Sequence, residues 1–364
     1  MTRSIKVNLK NNSYNIMVGS GILAKAGQYI RSLSLGTDAV VITNAYIKKL
    51  YGKRLAQSLE KSGLSVQIFE VADTEKSKSL SVASALLAKI AKYDTGKKIF
   101  VVAFGGGVVG DLAGYVAAIY KRGVSYVQVP TTFLAQIDSA IGGKVAVDLP
   151  SGKNLVGAFH QPKLVLSDVF LLKTLSKRQI RNGLAEAVKY GIIRDAALFF
   201  YIARCYKRLL KADTSALNRL VVSCSKIKAD VVSRDEKETK GIRTILNFGH
   251  TVGHAIESAS RYEDYQHGEA ISLGMRVAAD ISVCLKMLNV KDAKRIDQLL
   301  SLIGLPQRIK NVSLSGILER MRRDKKNKSG KNRFVLAQKI GSVKVVQGIP
   351  EEIIRQAILS RMSV

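Results

Sequence analysis

The feature that most constrains this fold is a run of short, largely apolar segments alternating with segments of helical periodicity. Residues 39–43, 66–71, 98–104, 125–129 and 164–168 each read as a buried strand. Between several of them lie stretches with apolar residues at helical spacing, one reaching about residue 61 and one spanning 80–93. A strand that is apolar on both sides must be covered on both faces. The arrangement that does this is a mostly parallel sheet with helices above and below. Residues 4–9 and 14–18 flank Asn11-Asn12 and read as a hairpin before the first parallel strand. After about residue 175 the pattern changes to long helical stretches at 179–191, 215–232, 250–260, 268–288 and 291–302. A strand pair (333–337 and 342–346) and a helix over 351–362 follow. The pattern predicts an α/β domain over residues 1–175 and a helical domain over 176–364. With no long linker, the two are expected to pack directly and leave a cleft.

Composition narrows the class. The 364 residues are 47% hydrophobic and 6% aromatic, which fits a globular chain rather than a disordered one. Residues 1–10 alternate polar and apolar, so no secretory leader is expected, and the apolar runs are too short to span a bilayer. Three scattered cysteines, Cys205, Cys224 and Cys284, suggest reduced thiols in a reducing compartment, so a cytoplasmic location is expected. The net charge of +30 admits nucleic-acid binding, but the charge is spread along the chain and no common nucleic-acid motif appears. A basic surface, or basic residues lining a pocket for an anionic substrate, explains it equally.

Two motifs in the first half suggest phosphate chemistry. Gly105-Gly106-Gly107-Val108-Val109-Gly110-Asp111 follows a buried strand and opens a helix. Glycines there let backbone N–H groups reach phosphate oxygens, and the helix N-terminus favours their charge. The usual dinucleotide fingerprint sits in the first strand–helix turn with an acid about 20 residues on; neither holds here. The second motif runs Val129-Pro130-Thr131-Thr132, then Gln136, Asp138, Gly142-Gly143-Lys144 and Gly152-Lys153-Asn154. A lysine after two glycines is well placed for an anion; a solvated loop is the plainer reading of Lys153.

The second half concentrates metal-binding residue types. Three of the four histidines lie between His250 and His267. His250 and His254 share one helix face, His267 begins the next helical stretch, and Glu186 lies on an earlier helix with Lys189 one turn on. A catalytic zinc has three protein ligands and an open position; the plainer reading is that the histidines cap or pack a helix. No His-Glu-x-x-His motif is present, which argues against a metalloprotease. Nearby are Lys228, Arg243, Asn247, Lys325 and Lys326. Arginine suits a carboxylate and lysine a phosphate.

These segments together resemble the 3-dehydroquinate synthases of the sugar phosphate cyclases. The stretches Leu246-Asn247-Phe248-Gly249-His250-Thr251-Val252-Gly253-His254-Ala255-Ile256-Glu257 and Gly152-Lys153-Asn154-Leu155-Val156-Gly157-Ala158-Phe159-His160-Gln161-Pro162 carry most of the specificity. The resemblance implies an NAD-binding α/β domain, a helical metal-binding domain, and Glu186, His250 and His267 as ligands of Zn2+ or Co2+. It puts NAD contacts on Asp73, Glu75, Lys78, Gly106, Gly107, Val108, Val109, Gly110, Asp111, Thr131, Thr132, Lys144, Lys153, Leu171, Leu172, Lys173 and Thr174. Substrate and catalytic positions fall on Asp138, Lys144, Asn154, Lys189, Lys228, Arg243, Asn247, His254 and Lys325, the last preferred to Lys326. Arg122 matches an arginine that reaches across a homodimer interface. The implied reaction converts 3-deoxy-D-arabino-heptulosonate 7-phosphate to 3-dehydroquinate and phosphate, a step of the shikimate pathway, by transient oxidation, elimination, reduction and aldol closure.

The chain departs from the family pattern in places. Val71-Ala72-Asp73-Thr74-Glu75 stands where Pro-Asp-Gly-Glu is common, Val-Ala-Val-Asp follows Lys144 where Thr-Gly-Val-Asn is frequent, and Glu238 to Arg243 is one residue longer than in many members. The nearest rival reading is another sugar-phosphate cyclase or a metal-dependent polyol dehydrogenase of the same fold.

Overall fold

A computed structural model describes residues 2–325 and 332–363. The chain divides into two compact units: residues 1–175 with 217–237, and residues 176–216 with 238–364. The division is therefore not a single cut near residue 175. Residues 217–237, most of the helix Thr214–Arg234, count with the first unit.

The first unit is built on a seven-stranded sheet. Its strands are β1 (Arg3–Val7), β2 (Tyr14–Gly19), β3 (Asp38–Asn44), β4 (Ser65–Val71), β5 (Ile99–Gly105), β6 (Tyr126–Pro130) and β9 (Leu164–Asp168), in the order β1-β2-β9-β6-β5-β3-β4. The β1–β2 pair is antiparallel and every other pair is parallel. β3, β5, β6 and β9 are buried at every position, as strands covered on both faces must be. Alternate residues serve opposite faces. Ala39, Val41, Phe100, Val102 and Phe104 pack with residues of Ile22–Lys25 and of the helix Lys53–Glu60. Val40, Ile42, Ile99, Val101 and Ala103 pack with the helices Leu80–Tyr93 and Gly107–Ile119. Each of the valine, isoleucine and phenylalanine side chains among them, fully buried, contributes roughly 1.5–3 kcal/mol.

Strand order places the glycine-rich turn. From β3 the chain steps to β4 on one side, then returns to β5 on the other and continues to β6. The order in which strands are added reverses between β3 and β5, and ligands of such sheets bind beyond the carboxyl ends of the strands at that reversal. Gly105 ends β5 there, which is why the glycines follow a later strand than in the common fingerprint.

Residues 144–159, whose small and polar composition is compatible with a loop, instead form an antiparallel hairpin of β7 (Lys144–Leu149) and β8 (Gly152–Phe159). β7 buries Val145 and Val147 against the helix side of the sheet, whereas β8 is largely exposed. Only one of the two strands therefore carries an apolar signal in the sequence.

The second unit is mainly helical. Its helices include Lys177–Ile193, Ala196–Leu210, His250–Ala259, His267–Cys284, Val290–Ile303, Leu314–Lys325 and Glu351–Leu359, with a hairpin of β10 (Arg333–Lys339) and β11 (Ser342–Gln347). Ser176 and Gln179 form a reciprocal capping box that starts the first of these. Among the described residues no helix is long and apolar enough to cross a membrane.

Leu112 is fully buried in the helix that the glycine turn opens. Leu112→Ala should cost about 2–5 kcal/mol, read as a lowered denaturant midpoint; an unchanged midpoint would show that this helix is not held by the sheet.

Candidate active site

The second unit gathers Glu186, His250 and His267 so that one ligand atom from each lies within 4.8 Å of the others. Nε2 of His250 is 3.6 Å and Nε2 of His267 is 3.4 Å from Oε1 of Glu186. Glu186 is completely buried, and neither of its carboxylate oxygens has a hydrogen-bond partner among the described residues. Its compensation is ionic: Lys189, itself buried, pairs with Oε2. A buried carboxylate without donors is costly, and one facing two imidazoles fits a divalent cation with nitrogen and oxygen ligands.

The protonation pattern agrees. Burial alone would raise the Glu186 carboxyl, but Lys189, His250 and His267 outweigh it and hold it well below the usual carboxylate range. Burial, with the Lys189 charge, holds His250 well below the usual imidazole range, leaving it neutral with a lone pair to donate. Burial opposes charge on His267, yet the carboxylates of Glu186 and Glu257 on either side of the ring push it up to about 10. Without an ion, a proton on His267 fills the place a cation would take.

Local contacts explain why these residues meet. On the helix Lys177–Ile193, Arg178, Asn182 and Glu186 recur every four residues and share one face. They meet three successive residues in reverse order. Arg178 donates to both carboxylate oxygens of Glu269 at 2.8 and 2.7 Å, Asn182 Oδ1 accepts from Gly268 N, and Glu186 faces His267. Glu269 also accepts from Gln266 N at 2.9 Å and so caps the helix that begins at His267. His250 is brought in by glycine. A Cβ on Gly274 would lie 1.9 Å from the carbonyl oxygen of Gly249, which itself has φ +81° and leads into His250. The helices His250–Ala259 and His267–Cys284 approach closely because both positions lack side chains.

The other expected residues divide between the two units. His254 is exposed one turn beyond His250, their ring centroids 5.0 Å apart. Arg243 is buried and Asn247 exposed in the short helical turn Ile242–Asn247 just before His250. Lys325 ends the helix Leu314–Lys325, but its side chain and all of Lys326 lie outside the described residues.

In the first unit, Lys78 is the hub. Its ammonium donates to Asp111 at 2.8 Å and to Asn154 Oδ1 at 2.6 Å, so the segment after β4, the helix of the glycine turn and the β7–β8 hairpin meet at one nitrogen. Asn154 has φ +56°, and its backbone N–H donates to Asp148 at 2.7 Å. Lys153 pairs with Glu75 at 2.9 Å. Lys228 pairs with Asp138 and donates to its carbonyl at 2.7 Å. Gly106 caps the helix carrying Gly107, Val108, Val109, Gly110 and Asp111, and Thr132 lies against Gly106. Thr131 Oγ1 is buried without a hydrogen-bond partner among the described residues. Leu171 and Leu172 are buried, while Lys173 and Thr174 are exposed in the turn after β9, and Asp73 is exposed after β4. Arg122 is exposed at φ +64°, next to Lys121 at φ +48°. Two successive non-glycine residues in that region store of order 1–3 kcal/mol each.

Three contributors carry no separate signal in the sequence. Asn182 and Asp148 read as ordinary polar positions, and Glu257 as a helix surface charge. Spacing hints at two of them: Asn182 lies one turn before Glu186, and Glu257 three residues after His254.

Comparison with known proteins gives concordant matches. A family model described as 3-dehydroquinate synthase N-terminal matches residues 68–182, and one described as 3-dehydroquinate synthase C-terminal matches residues 183–327. The 3-dehydroquinate synthase of Desulforamulus reducens is 44% identical over 349 residues, covering 96% of this chain and 97% of that protein. Among solved structures, 2-deoxy-scyllo-inosose synthase complexed with carbaglucose-6-phosphate, NAD+ and Co2+ superposes with a TM-score of 0.88 at 27% identity, covering 99% of this chain and 100% of the other. The 2-epi-5-epi-valiolone synthase of Streptomyces hygroscopicus subsp. jinggangensis, solved with NAD+ and Zn2+, has the same fold, with a TM-score of 0.88 at 24% identity over 97% of each chain.

Gly274→Ala removes no ligand, yet it should cost about 1–3 kcal/mol of stability and loosen any ion held by Glu186, His250 and His267. Dialysis against graded chelator checks this; metal retention equal to wild type would show that the helix spacing is not what sets the site.

Proposed function

The chain belongs to the 3-dehydroquinate synthase family, and we propose that it carries out that reaction with NAD bound by the first unit and a divalent ion, zinc or cobalt, bound by the second. The reaction is conversion of 3-deoxy-D-arabino-heptulosonate 7-phosphate to 3-dehydroquinate and phosphate. The observation that carries the metal assignment is Glu186: buried, without hydrogen bonds, and faced by Nε2 of two histidines. An ion held there would supply a Lewis acid for a substrate hydroxyl, and a dinucleotide on the first unit would supply a reversible hydride acceptor.

The chain's own residues supply the rest. On the second unit, Arg243 offers a planar fork to the substrate carboxylate, and Lys189 keeps Glu186 ionised. Asn247, just ahead of His250, offers an amide for a substrate hydroxyl. His254 is exposed beside the metal ligands and can pass protons to and from the substrate. Lys325 adds a positive charge for the substrate. On the first unit, Lys144 and Asn154 hold the phosphate, and Lys228 with Asp138 positions hydroxyls. The turn Gly106–Asp111, with Thr131, Thr132, Asp73, Glu75, Lys78, Lys153 and residues 171–174, takes the dinucleotide. The Lys78–Asp111–Asn154 contacts support this, because they tie two dinucleotide positions to a substrate position. A cytoplasmic location agrees with three cysteines that form no disulfide among the described residues.

A polyol dehydrogenase of this fold needs no arginine for a carboxylate. Metal-loaded protein with NAD+ should release inorganic phosphate from the heptulosonate phosphate without accumulating NADH, and His250→Ala should lose both bound metal and turnover. Oxidation of glycerol with no phosphate release would favour the dehydrogenase. We also propose a homodimer in which Arg122 serves the neighbouring subunit's site, in keeping with its exposed, strained backbone. Arg122→Ala and His250→Ala, each inactive alone, should regain activity when mixed and allowed to exchange subunits. Mixtures as inactive as their parents would place Arg122 in its own subunit's site.

A further inference from the structure

Resting on the metal reading above, we propose that Glu257 is a positioning residue that accepts the Nδ1–H of His267 and so presents Nε2 of that ring to the ion. His267 has oxygen on both sides. Nε2 is 3.4 Å from Glu186 Oε1, and Nδ1 is 3.4 Å from Glu257 Oε1. The two ring nitrogens point apart, so a single tautomer serves both: a proton on Nδ1 and a lone pair on Nε2. His250 repeats the arrangement. Its Nε2 faces the same Glu186 oxygen, while its Nδ1 lies 3.2 Å from the carbonyl oxygen of Phe248. A backbone carbonyl therefore orients one ligand and a carboxylate the other. An acceptor behind a ligating imidazole fixes its tautomer and raises its basicity.

Glu257 is suited to this task. Only 8% of its surface is exposed, and it lies on the same helix as His250, so one helix supplies a ligand and the support for another. Its other oxygen is 4.0 Å from Nε2 of the exposed His254. His254, Glu257 and His267 could also hold a cation of their own. That arrangement would need Nδ1 of His267 as a ligand atom while Nε2 serves the first ion, so both nitrogens would have to be deprotonated. A hydrogen bond from Nδ1–H to Glu257 needs no such step.

The test measures metal affinity in the full-length protein without substrate, by competition with a chromophoric chelator. Glu257→Ala should weaken zinc and cobalt binding by roughly 10–100-fold. Glu257→Gln, whose amide oxygen still accepts from Nδ1–H, should recover most of that loss, and the metal-free melting midpoints of both should match wild type. The cobalt absorption spectrum should shift in Glu257→Ala and not in Glu257→Gln. Should the alanine variant fail to fold, ¹⁵N-detected histidine spectra of zinc-loaded wild type decide, with His267 expected as the Nδ1–H tautomer. Affinity in Glu257→Ala equal to wild type, no recovery in Glu257→Gln, a fall in metal-free stability matching the loss in affinity, or a second bound equivalent lost with Glu257 would each overturn the inference. Wild type that holds no metal would remove the metal reading and this inference with it. Wild type that holds metal but is inert toward the sugar acid phosphate would remove the proposed reaction and leave this inference standing.

Discussion

Glu186 is the constraint around which the second unit is organised. A carboxylate with no exposed surface and, among the described residues, no hydrogen bond to either oxygen can stay ionised only if positive charge lies against it. Lys189 supplies one such charge from the next turn of the same helix, and the ring edges of His250 and His267 close the remaining side. Replacing this set with apolar residues would cost the fold little. Its retention as a buried polar group makes sense for a site that binds a cation.

The supporting contacts work by register. Arg178, Asn182 and Glu186 step along one helix face while Glu269, Gly268 and His267 step backwards along the start of another. Slipping either helix by a turn would break all three contacts together. Gly249 and Gly274 set the remaining distance, since any side chain at Gly274 would collide with backbone rather than with a flexible neighbour. The arrangement is rigid because it rests on backbone approach and fixed hydrogen-bond partners, which suits a site whose ligand atoms must sit within a few tenths of an ångström.

The first unit reaches its polar cluster by a different route. Reversal of strand order between β3 and β5 leaves the glycine turn open beyond the sheet, and the hairpin β7–β8 brings Asn154 to the buried ammonium of Lys78. Asp148, standing where asparagine is frequent in the resemblance, accepts the backbone N–H of Asn154, and its own N–H donates to the carbonyl of Lys78 at 2.7 Å. The departure from the family pattern thus falls on a residue that holds the hairpin in place.

Much of this was legible in the sequence, and for physical reasons. Strands buried on both faces must be continuously apolar, so β3, β5, β6 and β9 announced a parallel sheet. Helical periodicity marked most of the second unit, although the helices Ala196–Leu210 and Leu314–Lys325 went unread. Three histidines within one short window suggested metal coordination as well as helix packing, and the linear motifs around them marked the family. The hairpin β7–β8 was not legible, because its outer strand is exposed and carries no apolar alternation. Nor were the roles of Asn182 and Glu257. A side chain that orients another residue's ring has no signature of its own; it acquires the role only when a partner distant in sequence is packed against it. The sequence by itself determined the sheet, the ligand types and the chemistry they suit. Only the tertiary structure decided that Glu186 is buried with Lys189 on one oxygen, that both histidines turn Nε2 toward the other, and which acceptors stand behind them, because those facts depend on the register between helices rather than on any residue's identity.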